Sequence, residues 1–466
     1  MTPIYISTRG QAPQLGFSDT MLTGLARDGG LYVPSVLPKL SSADLNELAS
    51  LPYQEVAQRI IAPFIGDDIP AADLKNIITA AYKSFSHPEI VPLHQLDDNL
   101  QLMELFHGPT LAFKDVALQF LGYAFDYILA RKKQRVTIVG ATSGDTGSAA
   151  IEAFKGKDNV NIFILHPHNR VSEVQRRQMT TVLAPNVFNI AIEGSFDDCQ
   201  DLVKAMFNDQ TFRDEMALSA INSINWARIL AQVVYYVYAA ARFKKPVTFC
   251  VPTGNFGNIY AGHVARSIGA PIERLIAATN SNDILHRFFE TGEMSANGVV
   301  PTLSPSMDIQ VSSNFERLLF ELYGRDGKAV AQTMDDFRSK GLFRVKPDVM
   351  AKVKAQFGSG RLDDQQTLDV ISQTYKRSKY ILDPHTAIGV GVAEAYRKQN
   401  PNSLVVALAT AHPAKFPAAV KKAIGIEPPL PPSLADLYQR KQKFDVLPAD
   451  LDKIRAFVRE RASVKA

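Results

Sequence analysis

Residues 135–147 read RVTIVGATSGDTG: a β-branched apolar run that stops at a glycine and opens into a loop of small polar residues. The nearly continuous apolar stretch RVTIV is the pattern of a strand buried on both faces. A helix is expected after the loop Gly140–Gly147, led by Ser148, Ala149 and Ala150. Strand, loop and helix in that order are the unit of an α/β fold with a parallel sheet. In such sheets ligands bind beyond the carboxyl ends of strands, where loops turn into helices. Glycines let the backbone approach a ligand closely, and free N–H groups at a helix start suit an anion. Taken alone, a Gly-rich turn with Ser, Thr and Asp as caps also accounts for the stretch.

The same texture recurs from about residue 95 onward in VNIFIL, VFNIAIEG, PVTFCVPTG, RLIAATN and SLVVALAT, each separated by helical patterns. Before that, to roughly residue 90, apolar residues fall at helical spacings, as in SSADLNELASLPYQEVAQRIIAPFI, with Ser or Asp caps and Pro breaks. The chain's 466 residues exceed what one hydrophobic core supports, so two or three domains are expected. No internal repeat or low-complexity segment interrupts them.

Composition excludes several classes. With 46% hydrophobic and 21% charged residues the chain is an ordinary globular sequence. No run of about 18 apolar residues suggests a membrane span. MTPIYISTRGQ lacks the charged and apolar segments of a secretory signal, and a cytoplasmic location is expected. Cys199 and Cys250 form no CxxC pair, which argues for a reducing compartment without a disulfide framework. A net charge of +4, spread along the chain, does not make a nucleic-acid footprint; Arg131-Lys132-Lys133 reads as a solvated helix end. His166 and His168 flank Pro167, but no HExxH occurs, so an exposed loop accounts for them and no metal site is expected.

Three further loops lie at strand or helix ends. Pro252–Asn258, PTGNFGN, follows VTFCV and precedes a helical stretch; its backbone N–H groups and amides can cradle a phosphate, although it matches neither GxGxxG nor GxxxxGK[ST]. ATAHPAKF, 409–416, places Thr410 at a strand end, where a structural role and a role in binding are equally open. NSINWAR, 222–228, offers Asn222, Ser223 and Arg228 either as helix-start residues or as a site for phosphate or carboxylate, with Trp226 as a packing anchor. Lys114, in HGPTLAFKD (107–115), sits among apolar residues. Its window alone reads as an exposed helix lysine; a dry environment would instead make it a covalent catalyst. A candidate imine lysine, a phosphate loop and a carboxylate loop together suit pyridoxal phosphate and an amino acid.

HGPTLAFKD, TSGDTG, NSINWAR, PTGNFGN and ATAHPAKF, with YISTRG and LTGLARDGGLYVP near the N-terminus, together resemble the threonine synthase family, in its longer bacterial and fungal branch. The resemblance implies an α/β, fold type II pyridoxal 5'-phosphate enzyme with two open α/β sheet domains and a mostly helical N-terminal region. The expected division is 1–94 for that region, 95–132 with 216–466 for the large cofactor-binding domain, and 133–215 for the small domain. It implies Lys114 as the Schiff-base lysine and Gly254, Asn255, Phe256, Gly257 and Asn258 around the cofactor phosphate. Thr410 would face the ring nitrogen and Asp145 the 3'-oxygen. Thr142, Ser143 and Thr146 would hold the substrate carboxylate, and Asn222, Ser223 and Arg228 its phosphate. Many relatives carry Asn where Asp145 stands. The implied reaction converts O-phospho-L-homoserine and water to L-threonine and phosphate, with no nucleic acid, membrane or obligate protein partner. A phospholyase or a threonine dehydratase-like ammonia lyase on the same fold is the alternative.

Overall fold

The computed structural model describes residues 2–462. Strand–helix alternation gives two large sheets, and two short antiparallel pairs, Tyr5–Ser7 with Tyr32–Pro34 and Glu293–Ser295 with Leu342–Arg344, stand apart from them. The larger runs in the order Phe357–Arg361, Ile272–Thr279, Val247–Pro252, Val405–Ala409, Leu100–Glu104, Leu93–Asp97, parallel except for the last, antiparallel pair. The smaller is wholly parallel: Asp445–Pro448, Val187–Glu193, Val160–Pro167, Val136–Ala141, Leu218–Ser219. Every residue of Val247–Pro252 and of Val405–Ala409 is buried, as continuous apolar runs in a parallel sheet require.

Two differences from expectation concern the smaller sheet. Its last strand, Asp445–Pro448, lies in the stretch assigned to the large domain, yet it pairs with Val187–Glu193, and the helix Leu451–Arg461 follows it onto the same core. A chain that leaves a sheet at Ser219 and returns to it at Asp445 carries no local mark of doing so. His166 is the other correction: it lies inside Val160–Pro167, not in an exposed loop, and is fully buried. Burial pushes its imidazole down to about 4, so it packs there as the neutral ring.

The helices Lys114–Lys132 and Trp226–Ala240 pack against each other, and the N-terminal helices Tyr53–Ile65 and Ala71–Tyr82 close over them. Every residue of Trp226–Ala240 is buried, so it is a central rather than a surface helix. Trp226 anchors it, with ring centroids 5.9 Å from Tyr5 and 6.2 Å from Phe64. One continuous apolar cluster therefore joins the N-terminal helices to both sheets. Arg131 and Lys132 do form a solvated helix end, where Lys132 meets Asp19 at 2.8 Å. Among the described residues no helix is long and apolar enough to cross a membrane.

Candidate active site

The carboxyl ends of Val136–Ala141, Val247–Pro252 and Val405–Ala409 open onto one cavity of about 410 Å³, within the range of small-molecule sites. Lys114, Thr142, Ser143, Asp145, Thr146, Asn222, Ser223, Arg228, the loop Gly254–Asn258 and Thr410 all line it. Every candidate cofactor- or substrate-binding residue named from the sequence is thus brought to one place. A larger depression of about 840 Å³, between Lys245 and Leu404, lies at the opposite, amino ends of the larger sheet's strands and gathers none of them.

Each loop has its own local cause. After Val136–Ala141 the helix begins at Asp145, earlier than expected, because Thr142 Oγ1 accepts the N–H groups of Gly144 at 3.0 Å and Gly147 at 2.9 Å. Gly144, at φ 141°, makes the turn. After Val247–Pro252, Phe256 takes a left-handed φ of 62° and hands the chain to the helix Gly257–Ile268, whose first turn has no side-chain cap. A Cβ on Gly254 would lie 2.8 Å from Ile309 Cγ1, so only glycine fits there. Asn225 caps the helix that starts at Trp226, which puts Arg228 in its first turn. Lys114 opens the helix Lys114–Lys132, and an Ala112–Ala411 bridge lays this segment beside Thr410.

Electrostatics converge on Asp145. Lys114 Nζ lies 3.3 Å from its Oδ2, and Lys415 Nζ lies 2.8 Å from its Oδ1. Gln175 Nε2 donates to Oδ1 at 2.8 Å and Ser306 Oγ to Oδ2 at 3.2 Å. Burial alone would raise this carboxyl, but Lys415 and then Lys114 hold it well below the usual carboxylate range. Burial, aided by Lys415 and Arg228, pulls Lys114 below the usual lysine range against the opposing pull of Asp145. The Phe113 ring, 5.0 Å from Nζ, helps keep the amine dry.

Sequence reasoning did not single out Lys415, Gln175, Ser306, His385 or Asp383. His385 lines the cavity, with Nδ1 2.9 Å from Asp383 Oδ1 and Nε2 accepting the Ser306 N–H at 3.2 Å. The available signals were Asp-Pro-His-Thr as a helix start and a second lysine in ATAHPAKF.

Two buried donors that line the cavity lack acceptors among the described residues, and both favour an anion. Asn258 Oδ1 accepts Tyr235 Oη at 2.5 Å and Tyr236 Oη at 2.9 Å, while its Nδ2 has no acceptor. The uncapped first turn beside it offers backbone N–H groups, so a phosphate fits this cradle. Arg228 is 3% exposed, donates only to Ile221 O, leaves Nε unpartnered, and meets no carboxylate among the described residues. Burial pushes its guanidinium down to about 10. Among the described residues no group of His, Cys, Asp and Glu could hold a metal ion.

A buried lysine and a glycine-asparagine loop meet here at the carboxyl ends of parallel strands, and residues 88–340 match the family model for a pyridoxal-phosphate dependent enzyme, of the fold type II class. Residues 4–82 match the model of the threonine synthase N terminus, and 386–458 that of the threonine synthase C-terminal part. The threonine synthase of Pseudomonas aeruginosa is 54% identical over 98% of this chain and 98% of its own. The crystal structure of the PLP-bound threonine synthase from Brucella melitensis superposes with a TM-score of 0.97 at 52% identity, over 99% of this chain and 100% of its own. That of yeast threonine synthase gives 0.94 at 41% identity, over 98% of both chains. The chain belongs to the threonine synthase family, and its cofactor is pyridoxal 5'-phosphate.

Proposed function

We propose that this chain converts O-phospho-L-homoserine and water to L-threonine and phosphate, with Lys114 as its reactive amine. The observation that carries the reading is Arg228: a buried guanidinium that meets no carboxylate among the described residues, in the cavity that also holds Lys114. A site built this way leaves an uncompensated cation until a phosphorylated substrate arrives.

The N–H groups of the Gly254–Asn258 loop and Asn258 Nδ2 would hold the cofactor's phosphate, a reading supported by the uncapped helix start and the unpartnered amide. Thr410 would face the ring nitrogen as a neutral hydroxyl. Asp145 would stand near the cofactor's oxygen, and Lys114 would hold its aldehyde. When bound, the cofactor supplies an electron sink that lets a proton leave the substrate's Cα. The chain's residues supply the rest. Lys114 Nζ, favoured as the neutral amine by burial, takes that proton and carries it between neighbouring carbons. Arg228, with Asn222 and Ser223 at the cavity edge, holds the substrate phosphate and stabilises its charge as it departs. Thr142 shapes the Gly144–Gly147 turn, which with Ser143 and Thr146 orients the substrate carboxylate. His385, held in one tautomer by Asp383, accepts the Ser306 N–H at Nε2 and so positions the serine whose hydroxyl reaches Asp145.

A threonine dehydratase-like reaction, whose substrate carries no phosphate, would have no use for the Arg228 site. Incubation of the holoenzyme with O-phosphohomoserine tests the reading: threonine and phosphate in equal amounts are expected. Phosphate with 2-oxobutanoate and ammonia would assign a phospholyase. The two cysteines are buried free thiols, which supports the cytoplasmic location we propose.

A further inference from the structure

Two lysines share one carboxylate in this site. Lys415 is fully buried, and its ammonium reaches Asp145 Oδ1 at 2.8 Å and Thr110 O at 2.7 Å. Lys114 reaches only the other oxygen of Asp145, at 3.3 Å. We propose that Lys415 is a positioning residue for Lys114: it occupies the charge of Asp145 permanently, so that Lys114 Nζ is left as a free amine. The inference rests on the reading of Lys114 as the reactive amine and adds the residue that keeps it reactive.

With Lys114 alone, Asp145 would be a buried carboxylate with a single cationic partner, and the pair would hold each other charged. A charged Lys114 can neither attack an aldehyde nor accept a proton. A second ammonium on the same carboxylate changes this, because two like charges in one dry space cannot both be held cheaply. Hydrogen bonding decides which lysine gives up its proton. Lys415 has two short acceptors; Lys114 has one, longer than a charge-assisted bond prefers. Lys114 also sits in the first turn of its helix, where the macrodipole opposes a cation.

The surrounding charges agree. Lys114 faces Asp145 from the helix Asp145–Phe154, Lys415 from the turn Pro413–Lys415 and Arg228 from the helix Trp226–Ala240. Lys415 in turn faces Asp145, Asp115 from the helix of Lys114, and His412 on its own segment. His385 faces Asp145 from the helix Pro384–Gln399. Asp115 accepts from Thr110 N and Oγ1, whereas the Lys415 ammonium donates to Thr110 O and forms its ion pair with Asp145. Asp145 alone among these carboxylates touches both lysines.

The test is the rate at which the full-length chain, freed of cofactor, takes up pyridoxal phosphate as a function of pH, read by the cofactor's absorbance. Only the neutral amine reacts, so the profile's midpoint reports the proton on Lys114. In Lys415→Met the midpoint should rise, slowing uptake about tenfold near pH 7 for each unit of rise, a deficit that closes towards about pH 10. Lys415→Arg should stay within about twofold of wild type, since it keeps the cation. Asp145→Asn should move the midpoint down, and Asp145→Asn with Lys415→Met should bring it back towards wild type, because both charges are then gone. An unmoved midpoint in Lys415→Met, or a double variant still displaced upward, would overturn the inference. If Lys415→Met does not fold, Asp145→Asn decides alone, and a midpoint that stays or rises overturns it. Borohydride reduction and peptide mapping separate the two readings: an adduct on another lysine removes both, whereas an adduct on Lys114 with an unmoved midpoint removes only this one.

Discussion

Thr110 donates twice to Asp115, from its backbone N at 2.8 Å to Oδ2 and from its hydroxyl at 2.6 Å to Oδ1. The bond pair folds HGPTLAFKD onto itself and aims Thr110 O at Lys415 and Gln178. Asp115 is fully buried, and burial outweighs both bonds and Lys415, raising its carboxyl from 3.8 to about 6. A folded-state value above the unfolded one means the folded chain holds that proton more tightly. The contribution to stability is therefore complete below about pH 3.8 and lost as pH rises through about 6. Relative to Asp115→Asn, wild type should lose on the order of 3 kcal/mol between those limits, measured by urea denaturation across pH. A flat difference would show that the carboxyl is not perturbed.

Arg228 should trade stability against function. Its guanidinium is desolvated with Nε unpartnered, so Arg228→Met should leave the thermal midpoint unchanged or raise it. The same substitution should lower kcat/KM for O-phosphohomoserine by roughly 10²–10³-fold. Inorganic phosphate should raise the wild-type midpoint through Arg228 and do so less in the variant. A variant that is both destabilised and fully active would contradict the assignment.

Gly254 should be intolerant of a single methyl. Its absent Cβ would stand 2.8 Å from Ile309 Cγ1 and 3.3 Å from Met307 Cα. Gly254→Ala should push the loop towards the cavity and weaken retention of pyridoxal phosphate, read by dialysis and absorbance. Ile309→Ala in the same chain should restore part of it, since the two sites share one contact. No recovery would place the strain elsewhere.

How much of this was legible in the sequence depends on how local each signal is. Val247–Pro252 and Val405–Ala409 announce buried parallel strands by apolar residues at every position, and the loops after them carry the site. The start of the helix at Asp145 was misplaced because Thr142 Oγ1, not the glycine pattern, sets it. The strand Asp445–Pro448 is partly exposed and pairs across a long stretch of chain, so its sequence does not name its sheet. Lys415 reads as one more lysine in a polar turn; only the approach of Asp145 and Thr110 from distant segments makes it a sealed cation. Arg228 was legible only as a candidate for an anion site; that no carboxylate meets it among the described residues is a fact of three dimensions.

Asp383 ties the cofactor end of the cavity to its catalytic side. This carboxylate, 1% exposed, caps the helix Pro384–Gln399 by accepting from His385 N at 2.9 Å and Thr386 N at 3.2 Å. It also accepts from His385 Nδ1 and from the Thr386 hydroxyl. Thr386 Oγ1 then accepts the backbone N–H of Thr410 at 3.2 Å, which fixes the residue assigned to the cofactor's ring nitrogen. His385 Nε2 meanwhile holds Ser306, whose hydroxyl reaches Asp145. Asp383→Asn keeps the volume but turns one acceptor oxygen into a donor group facing donors. It should cost about 1–3 kcal/mol of stability, seen in urea denaturation, and should lower kcat more than tenfold by releasing both Thr410 and His385. Thr386→Ser keeps the hydroxyl and should stay near wild type in kcat, whereas Thr386→Val removes the acceptor for Thr410 N and should alter the cofactor's absorption spectrum. If the valine variant kept the wild-type spectrum and rate, Thr410 would be held without Asp383, and the connection between helix cap and cofactor would be refuted.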